Sequence, residues 1–165
     1  MGRPAPHKTN ALRLLDKSGI VFRTYEYDTA DGRIDGLSVA EKTGRAPQTV
    51  YKTLVCVGQD GASREYCVFV IPVAGTLDLK LAAKAVGVKS VEMIPVADIS
   101  RVTGYVRGGC SPVGMKREYT TVIDASCEGL SAIVVSAGKI GLQMELDPHD
   151  LIRVTGARTE PVTAV

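Results

Sequence analysis

At 165 residues, with 45% apolar and 23% charged side chains, the chain matches one globular domain rather than a disordered segment or a disulfide-stapled scaffold. Its apolar run over residues 68–74 is seven residues, nine with Tyr66 and Cys67 counted, whereas a membrane-spanning helix needs about 20, and residues 1–10 lack the apolar stretch of a secretory signal. The net charge of +2 and pI of about 8.3 permit an anionic partner without demanding one, since dedicated nucleic-acid binders usually exceed a pI of about 9.

The chain reads as a single domain, 1–165, with an ordered core over about 9–158 and loose ends. Ala11, Leu12, Leu14 and Leu15 follow Thr9 and Asn10 as capping candidates and end before Gly19, which predicts a short helix. Residues 21–27 are β-branched and aromatic and read as a strand. Residues 28–36 are polar and read as loop. Ser38 with Glu41 matches a capping box opening a helix that Gly44 closes, and Pro47 marks a turn. Residues 50–57 and 65–73 are the strongest strands, and Asp60-Gly61 between them predicts a β-hairpin. Thr76 is placed as the cap of a helix over 77–86, ended by Gly87, and Pro95 opens a second helix to Thr103. Residues 120–124, 132–136 and 141–146 read as strands, and 148–154 as a last helical turn or two. Hairpin-connected strands with helices inserted between them favour an α+β fold, a mixed sheet or barrel. Neither a dinucleotide-binding glycine motif nor a P-loop is present.

The cysteines, at 56, 67, 110 and 127, never fall three apart, and the histidines are His7 and His149. Zinc sites need four ligands with short local spacings, so no metal and no cofactor is expected. Free thiols in a reducing, cytoplasmic compartment are the expectation.

Three features could carry chemistry. Lys52 opens a strong strand, Val50-Tyr51-Lys52-Thr53-Leu54-Val55. Such a lysine can guard a sheet edge, or hold an ammonium at a pocket wall to bind phosphate or polarise a carbonyl. Gly108-Gly109-Cys110-Ser111-Pro112 permits close backbone approach, and its N–H groups could converge on one oxygen; a surface loop is the plainer alternative. Residues 100–120 hold Arg101, Arg107, Lys116 and Arg117 against Glu118, more positive than the whole chain. Ser136-Ala137-Gly138-Lys139 is a small-residue turn after a strand, either a ligand wall or a plain turn. Cys110 has no visible base, His149 fits a helix start, and Asp124 fits a backbone-accepting structural role. No nucleophile–base pair is evident, so electrostatic stabilisation or the substrate itself must do much of any chemistry.

Taken in order, these stretches resemble the YbaK/EbsC family of free-standing aminoacyl-tRNA deacylases, relatives of the editing domain of bacterial prolyl-tRNA synthetase. The resemblance runs from about Ala11 to Val154. It rests on Arg23-Thr24-Tyr25-Glu26-Tyr27-Asp28, Val50-Tyr51-Lys52-Thr53-Leu54, Val73-Ala74-Gly75 with Leu77-Asp78-Leu79-Lys80, Val91-Glu92-Met93, Thr103-Gly104-Tyr105-Val106-Arg107-Gly108-Gly109-Cys110-Ser111-Pro112, Thr121-Val122-Ile123-Asp124-Ala125 and Val135-Ser136-Ala137-Gly138-Lys139 with Gly141. It implies a barrel-like mixed sheet flanked by helices. It also implies hydrolysis of the ester between a mischarged amino acid and the 3′ CCA end of tRNA, cysteine on proline tRNA foremost. Lys52 matches the family's essential lysine, and Gly108, Gly109, Ser111 and Pro112 match its glycine loop. Tyr25, Thr53, Asp124, Ser136 and Gly138 fall on pocket positions. In the family the substrate thiol attacks its own carbonyl, and a synthetase, here prolyl-tRNA synthetase, is the implied partner. Ala137 departs from the glycine common in close relatives, and nothing carries over to 28–36. Alanine or serine esters, or tRNA binding without turnover, are the competing readings.

Overall fold

In the computed structural model, which describes residues 8–164, the chain runs α1 (Asn10–Lys17), β1 (Phe22–Glu26), α2 (Gly36–Thr43), β2 (Tyr51–Asp60), β3 (Ser63–Pro72), α3 (Leu79–Val86), β4 (Ser90–Met93), α4 (Ile99–Thr103), β5 (Thr120–Asp124), β6 (Ile133–Lys139), β7 (Leu142–Leu146), α5 (Pro148–Thr155) and β8 (Arg158–Glu160). Short 3-10 turns lie at Pro47–Thr49, Val96–Asp98 and Ala125–Gly129. The predicted 95–103 helix is therefore split between one such turn and α4.

The strands form two sheets, one ordered β1-β7-β6 and one ordered β4-β2-β3-β5-β8. The α+β class holds, but the expected barrel does not close. The sheets touch through one parallel bridge, Val50 to Val134, and the five-stranded sheet ends in the short strands β4 and β8. Very short edge strands are one way a sheet stays open without inviting further pairing.

The predicted hairpin forms and is longer than read. β2 and β3 pair from Tyr51 opposite Pro72 to Asp60 opposite Ser63, and Gly61 takes the left-handed conformation (φ +64°) that the turn needs. The apolar run in β3 is covered on both faces. Val68 and Val70 pack in a cluster with α1 and the three-stranded sheet, while Phe69 and Ile71 lie with Ala82 and Ala83 of α3. This alternation explains why the segment reads as a continuous apolar run.

Several boundaries move for identifiable reasons. α2 starts at Gly36 because Asp35, not Ser38, is its cap: the Asp35 carboxylate accepts the Ser38 N–H at 3.1 Å and its hydroxyl at 2.7 Å. α3 starts at Leu79 because Asp78, not Thr76, accepts the N–H groups of Lys80 and Leu81, both at 3.0 Å. β4 and β8 were not anticipated. The C-terminal stretch read as loose is fastened: Val162 is fully buried, and the Ala164 N–H donates to Thr76 O at 2.9 Å. No helix among the described residues is long and apolar enough to cross a membrane.

Candidate active site

Where the two sheets meet, the start of β2, the β6–β7 hairpin, the glycine loop and residues 32–36 enclose a cavity of about 480 Å³. That is the size of a small-molecule site. Lys52, Thr53, Gly108 and Ser136, four of the residues singled out from sequence, line it. Lys52 is half-buried, and among the described residues no acceptor or carboxylate engages its ammonium. Arg107 adds a second cation to the lining, and Asp35 is its one carboxylate. Asp35 is already committed to capping α2, and the bonds from Ser38 hold its carboxyl below the usual carboxylate range, so it stays an anion.

The glycine loop is shaped by close packing. A Cβ at position 109 would lie 2.7 Å from the Ile140 nitrogen and 2.8 Å from the Lys139 carbonyl carbon. Only glycine lets the loop approach the β6–β7 backbone this closely. Gly108 has φ +84° and exposes its backbone at the cavity wall. The Gly109 N–H donates to Val106 O at 3.0 Å, closing the turn. Among the described residues the amides on either side, at Gly108 and Cys110, meet no protein acceptor, and the same holds for Arg107 and Ser111. Ser111 and Pro112 are buried behind the loop, and the Ser111 hydroxyl accepts the Val113 N–H at 3.2 Å.

The remaining predicted residues lie off the cavity wall. The Tyr25 hydroxyl donates to Glu145 at 3.0 Å under the Arg45 guanidinium, which sits 4.8 Å from the ring centre. Asp124 is 4% exposed and is surrounded by the donors of Ser126, Val162 and Thr163. Gly138 donates its N–H to the Ser136 hydroxyl at 3.2 Å, which shapes the end of β6 without reaching the cavity.

Two groups of the site went unread or only half-read. Gln143, on β7 opposite Tyr25 and Ser136, is 7% exposed and lines the cavity. Its Oε1 and the Thr53 Oγ1 are buried without a hydrogen-bond partner. Buried polar atoms are nearly always satisfied, and Thr53 and Gln143 leave two orphans along this cavity lining, a third being the Tyr27 hydroxyl outside it. The signal in sequence was a lone amide between Leu142 and Met144. Residues 32–36, set aside as loop, form a second wall through Gly32, Ile34, Asp35 and Gly36.

Cys110 also lines the cavity, but burial pushes its thiol up to about 11, although a hydrogen bond with Thr103 works against the shift. At neutral pH it is a thiol and not a thiolate, and among the described residues no histidine adjoins it. The lining therefore supplies cations, loop amides and unpaired hydrogen-bonding groups, but no activated nucleophile. Among the described residues no group of three or more His, Cys, Asp or Glu side chains is arranged to hold a metal ion.

The family model described as the aminoacyl-tRNA editing domain matches residues 37–154. A curated protein of Enterococcus faecalis, named as a candidate Cys-tRNA(Pro)/Cys-tRNA(Cys) deacylase, EbsC, is 40% identical over 156 residues, 94% of this chain and 93% of that protein. A solved structure described as a candidate trans-editing enzyme for prolyl tRNA synthetase superposes with a TM-score of 0.83 at 22% identity, covering 99% of this chain and all of that one. The crystal structure of hypothetical protein APE2540 gives the same TM-score, 0.83, at 20% identity over 94% of this chain. At these identities the two structures speak for the fold alone.

Proposed function

The chain belongs to the aminoacyl-tRNA editing domain family, and from that membership we propose that it removes wrongly attached amino acids from tRNA in trans, cysteine on proline tRNA foremost. The observation that carries this reading is the cavity itself. It offers a free ammonium at Lys52, a guanidinium at Arg107 and loop amides at Gly108 and Cys110, without a nucleophile–base pair. Such a site suits an ester whose own side chain can attack.

In this mechanism the substrate cysteine sulfur attacks its carbonyl carbon. The ester carbonyl oxygen becomes an oxyanion, which the amides flanking Gly109 receive as donors. The bond to the ribose oxygen then breaks, and that oxygen takes the proton given up by the thiol. The products are a cyclic cysteine thiolactone and tRNA with a free 3′-terminal ribose; water later opens the thiolactone to cysteine. Lys52 and Arg107 hold the phosphate or hydroxyls of the terminal nucleotide. Thr53 and Gln143 supply hydrogen-bonding oxygens to the amino acid or ribose. Each oxyanion donor in such a site is worth about 10²–10³ in rate.

Deacylation of cysteinyl-tRNA(Pro), alanyl-tRNA(Pro) and cysteinyl-tRNA(Cys), with Lys52→Ala alongside, tests the reading. Rapid release of cysteine, lost in the variant, is the expected result. Release of alanine alone would retain a deacylase and discard the thiol route, because alanine has no nucleophile. Intact esters throughout would overturn the proposal. Prolyl-tRNA synthetase is the proposed source of the mischarged tRNA, and co-migration of the two proteins that depends on added tRNA is the corresponding expectation.

A further inference from the structure

Away from the cavity, residues 79–91 hold three lysines and no carboxylate. Lys80 and Lys84 on α3 and Lys89 before β4 are exposed around a shallow concavity of about 340 Å³, floored by Ala83, Val88 and Val91. None of the three ammonium groups meets a carboxylate or another acceptor among the described residues. The acids at either end of this stretch do not neutralise it. Asp78 is engaged as the cap of α3, and Glu92 lies outside the concavity lining. Arg158 extends the positive surface, its guanidinium reaching the Ala85 carbonyl at the end of α3 at 2.6 Å.

The position of this patch relative to the cavity gives it meaning. Along β2, alternation puts Lys52 on the same sheet face as Leu54 and Cys56, and both of these pack in the cluster beneath α3. α3 begins six residues after Val73, which lines the cavity, and the segment ends where the Lys89 N–H donates to Gln59 O at 3.1 Å near the far end of β2. All three lysines line one concavity beside Gln59, so the patch sits toward the hairpin end of β2 while Lys52 stands at its cavity end. At roughly 3.3 Å per strand residue, the stretch of β2 from Lys52 to Gln59 spans about 23 Å. One strand of a nucleic-acid helix places a phosphate about every 3.4 Å of its axis, so several phosphates separate a 3′ end held at Lys52 from the backbone that reaches the patch.

We propose that Lys80, Lys84 and Lys89 form a phosphate-binding track for the acceptor arm of tRNA, leading away from the cavity that takes its 3′ end. The assignment rests on the deacylase reading for its occupant, and on the unpaired lysines for its chemistry. The contact is with backbone phosphates and carries no base preference. It gives a chain of low net charge a local grip on a polyanion.

The test uses the full chain and the variant Lys80→Gln/Lys84→Gln/Lys89→Gln, whose exposed side chains leave the core untouched. Binding of uncharged tRNA is measured from about 50 to 200 mM salt, and deacylation is measured on both full aminoacyl-tRNA and an aminoacylated CCA trinucleotide. Loss of three phosphate contacts should flatten the slope of log affinity against log salt by about 2–3, so the wild-type advantage shrinks roughly 20–40-fold across that range. Turnover of the trinucleotide should be unchanged. An unaltered salt slope, or an equal loss on both substrates, overturns the track. If the wild-type chain binds tRNA with the steeper slope but hydrolyses neither ester, the deacylase reading falls and the track stands.

Discussion

Ile34 closes over Gly108: a Cβ at position 108 would come within 2.8 Å of the Ile34 Cδ1. The contact joins the 32–36 wall to the glycine loop, and both line the cavity. Gly108→Ala meets two penalties there. The left-handed backbone (φ +84°) costs a side-chain-bearing residue roughly 1–2 kcal/mol, and the new methyl displaces Ile34 and its loop. We expect a Tm lower by a few degrees, and kcat/KM for cysteinyl-tRNA(Pro) lower by on the order of 10², as for a mispositioned oxyanion donor. Adding Ile34→Ala should recover part of kcat/KM, because it removes the steric half of the defect, while Tm stays low. Wild-type kcat/KM in Gly108→Ala would separate this loop from the chemistry.

Lys42 fixes the same wall from behind. Its ammonium donates to Asp28 O at 2.7 Å, to the Asp31 carboxylate at 2.7 Å and to Arg33 O at 2.8 Å. The hydrogen bond from Lys42 also holds the Asp31 carboxyl below the usual carboxylate range. One side chain thereby orders a stretch that makes little core of its own. Lys42→Met should speed amide hydrogen exchange over residues 28–33 and lower kcat/KM by about tenfold, since small misplacements of a site wall are costly. The fold should persist with little change in Tm, because the released segment is exposed. Protection over 28–33 equal to wild type would show that the ammonium is not what holds the loop.

The contrast between these residues and the rest of the molecule shows what a sequence can carry. The β2–β3 hairpin was legible because its signal is local: two apolar runs about a turn that needs Gly61. Lys52 stood out as a lysine in an apolar strand, but that pattern equally fits a sheet-edge guard and the family resemblance pointed to the pocket, whose facing wall was not legible. The 32–36 wall and Gln143 come to the cavity through folding distance, and no local pattern marks a polar loop as a site wall. β4 and β8 escaped for a related reason. Four and three residues carry too little periodicity, and what makes them strands is an edge offered by β2 or β5. The open sheet follows from the same edges. Family resemblance supplied the order of motifs but not which of them face the cavity, and Tyr25, Asp124 and Gly138 lie outside its lining.

Asp124 shows what such a residue does instead. Its Oδ1 accepts the Val162 N–H at 3.0 Å and the Thr163 hydroxyl at 3.2 Å, and its Oδ2 accepts the Ser126 hydroxyl and N–H. The carboxylate thus ties the end of β5 to the C-terminal segment. Burial pushes its pKa up, but the bonds from Ser126, Val162 and Thr163 outweigh burial and hold it below the ordinary value of 3.8. A depressed folded pKa means that the stabilisation is fully present above the unfolded value, near pH 4, and is lost as pH falls through the folded value. Asp124→Asn should therefore cost roughly 2–3 kcal/mol at pH 7, in keeping with hydrogen bonds to a charged acceptor. For a domain of this size that is a Tm drop on the order of 5–10 °C. The gap between variant and wild type should narrow as pH falls below about 4, because protonated Asp124 loses the same advantage. Well below its Tm the variant should keep near wild-type kcat/KM, since position 124 anchors the chain end and does not line the cavity. A pH-independent gap in Tm would show that packing, not charge, holds this corner. A kcat/KM loss at full folding would return Asp124 to the substrate.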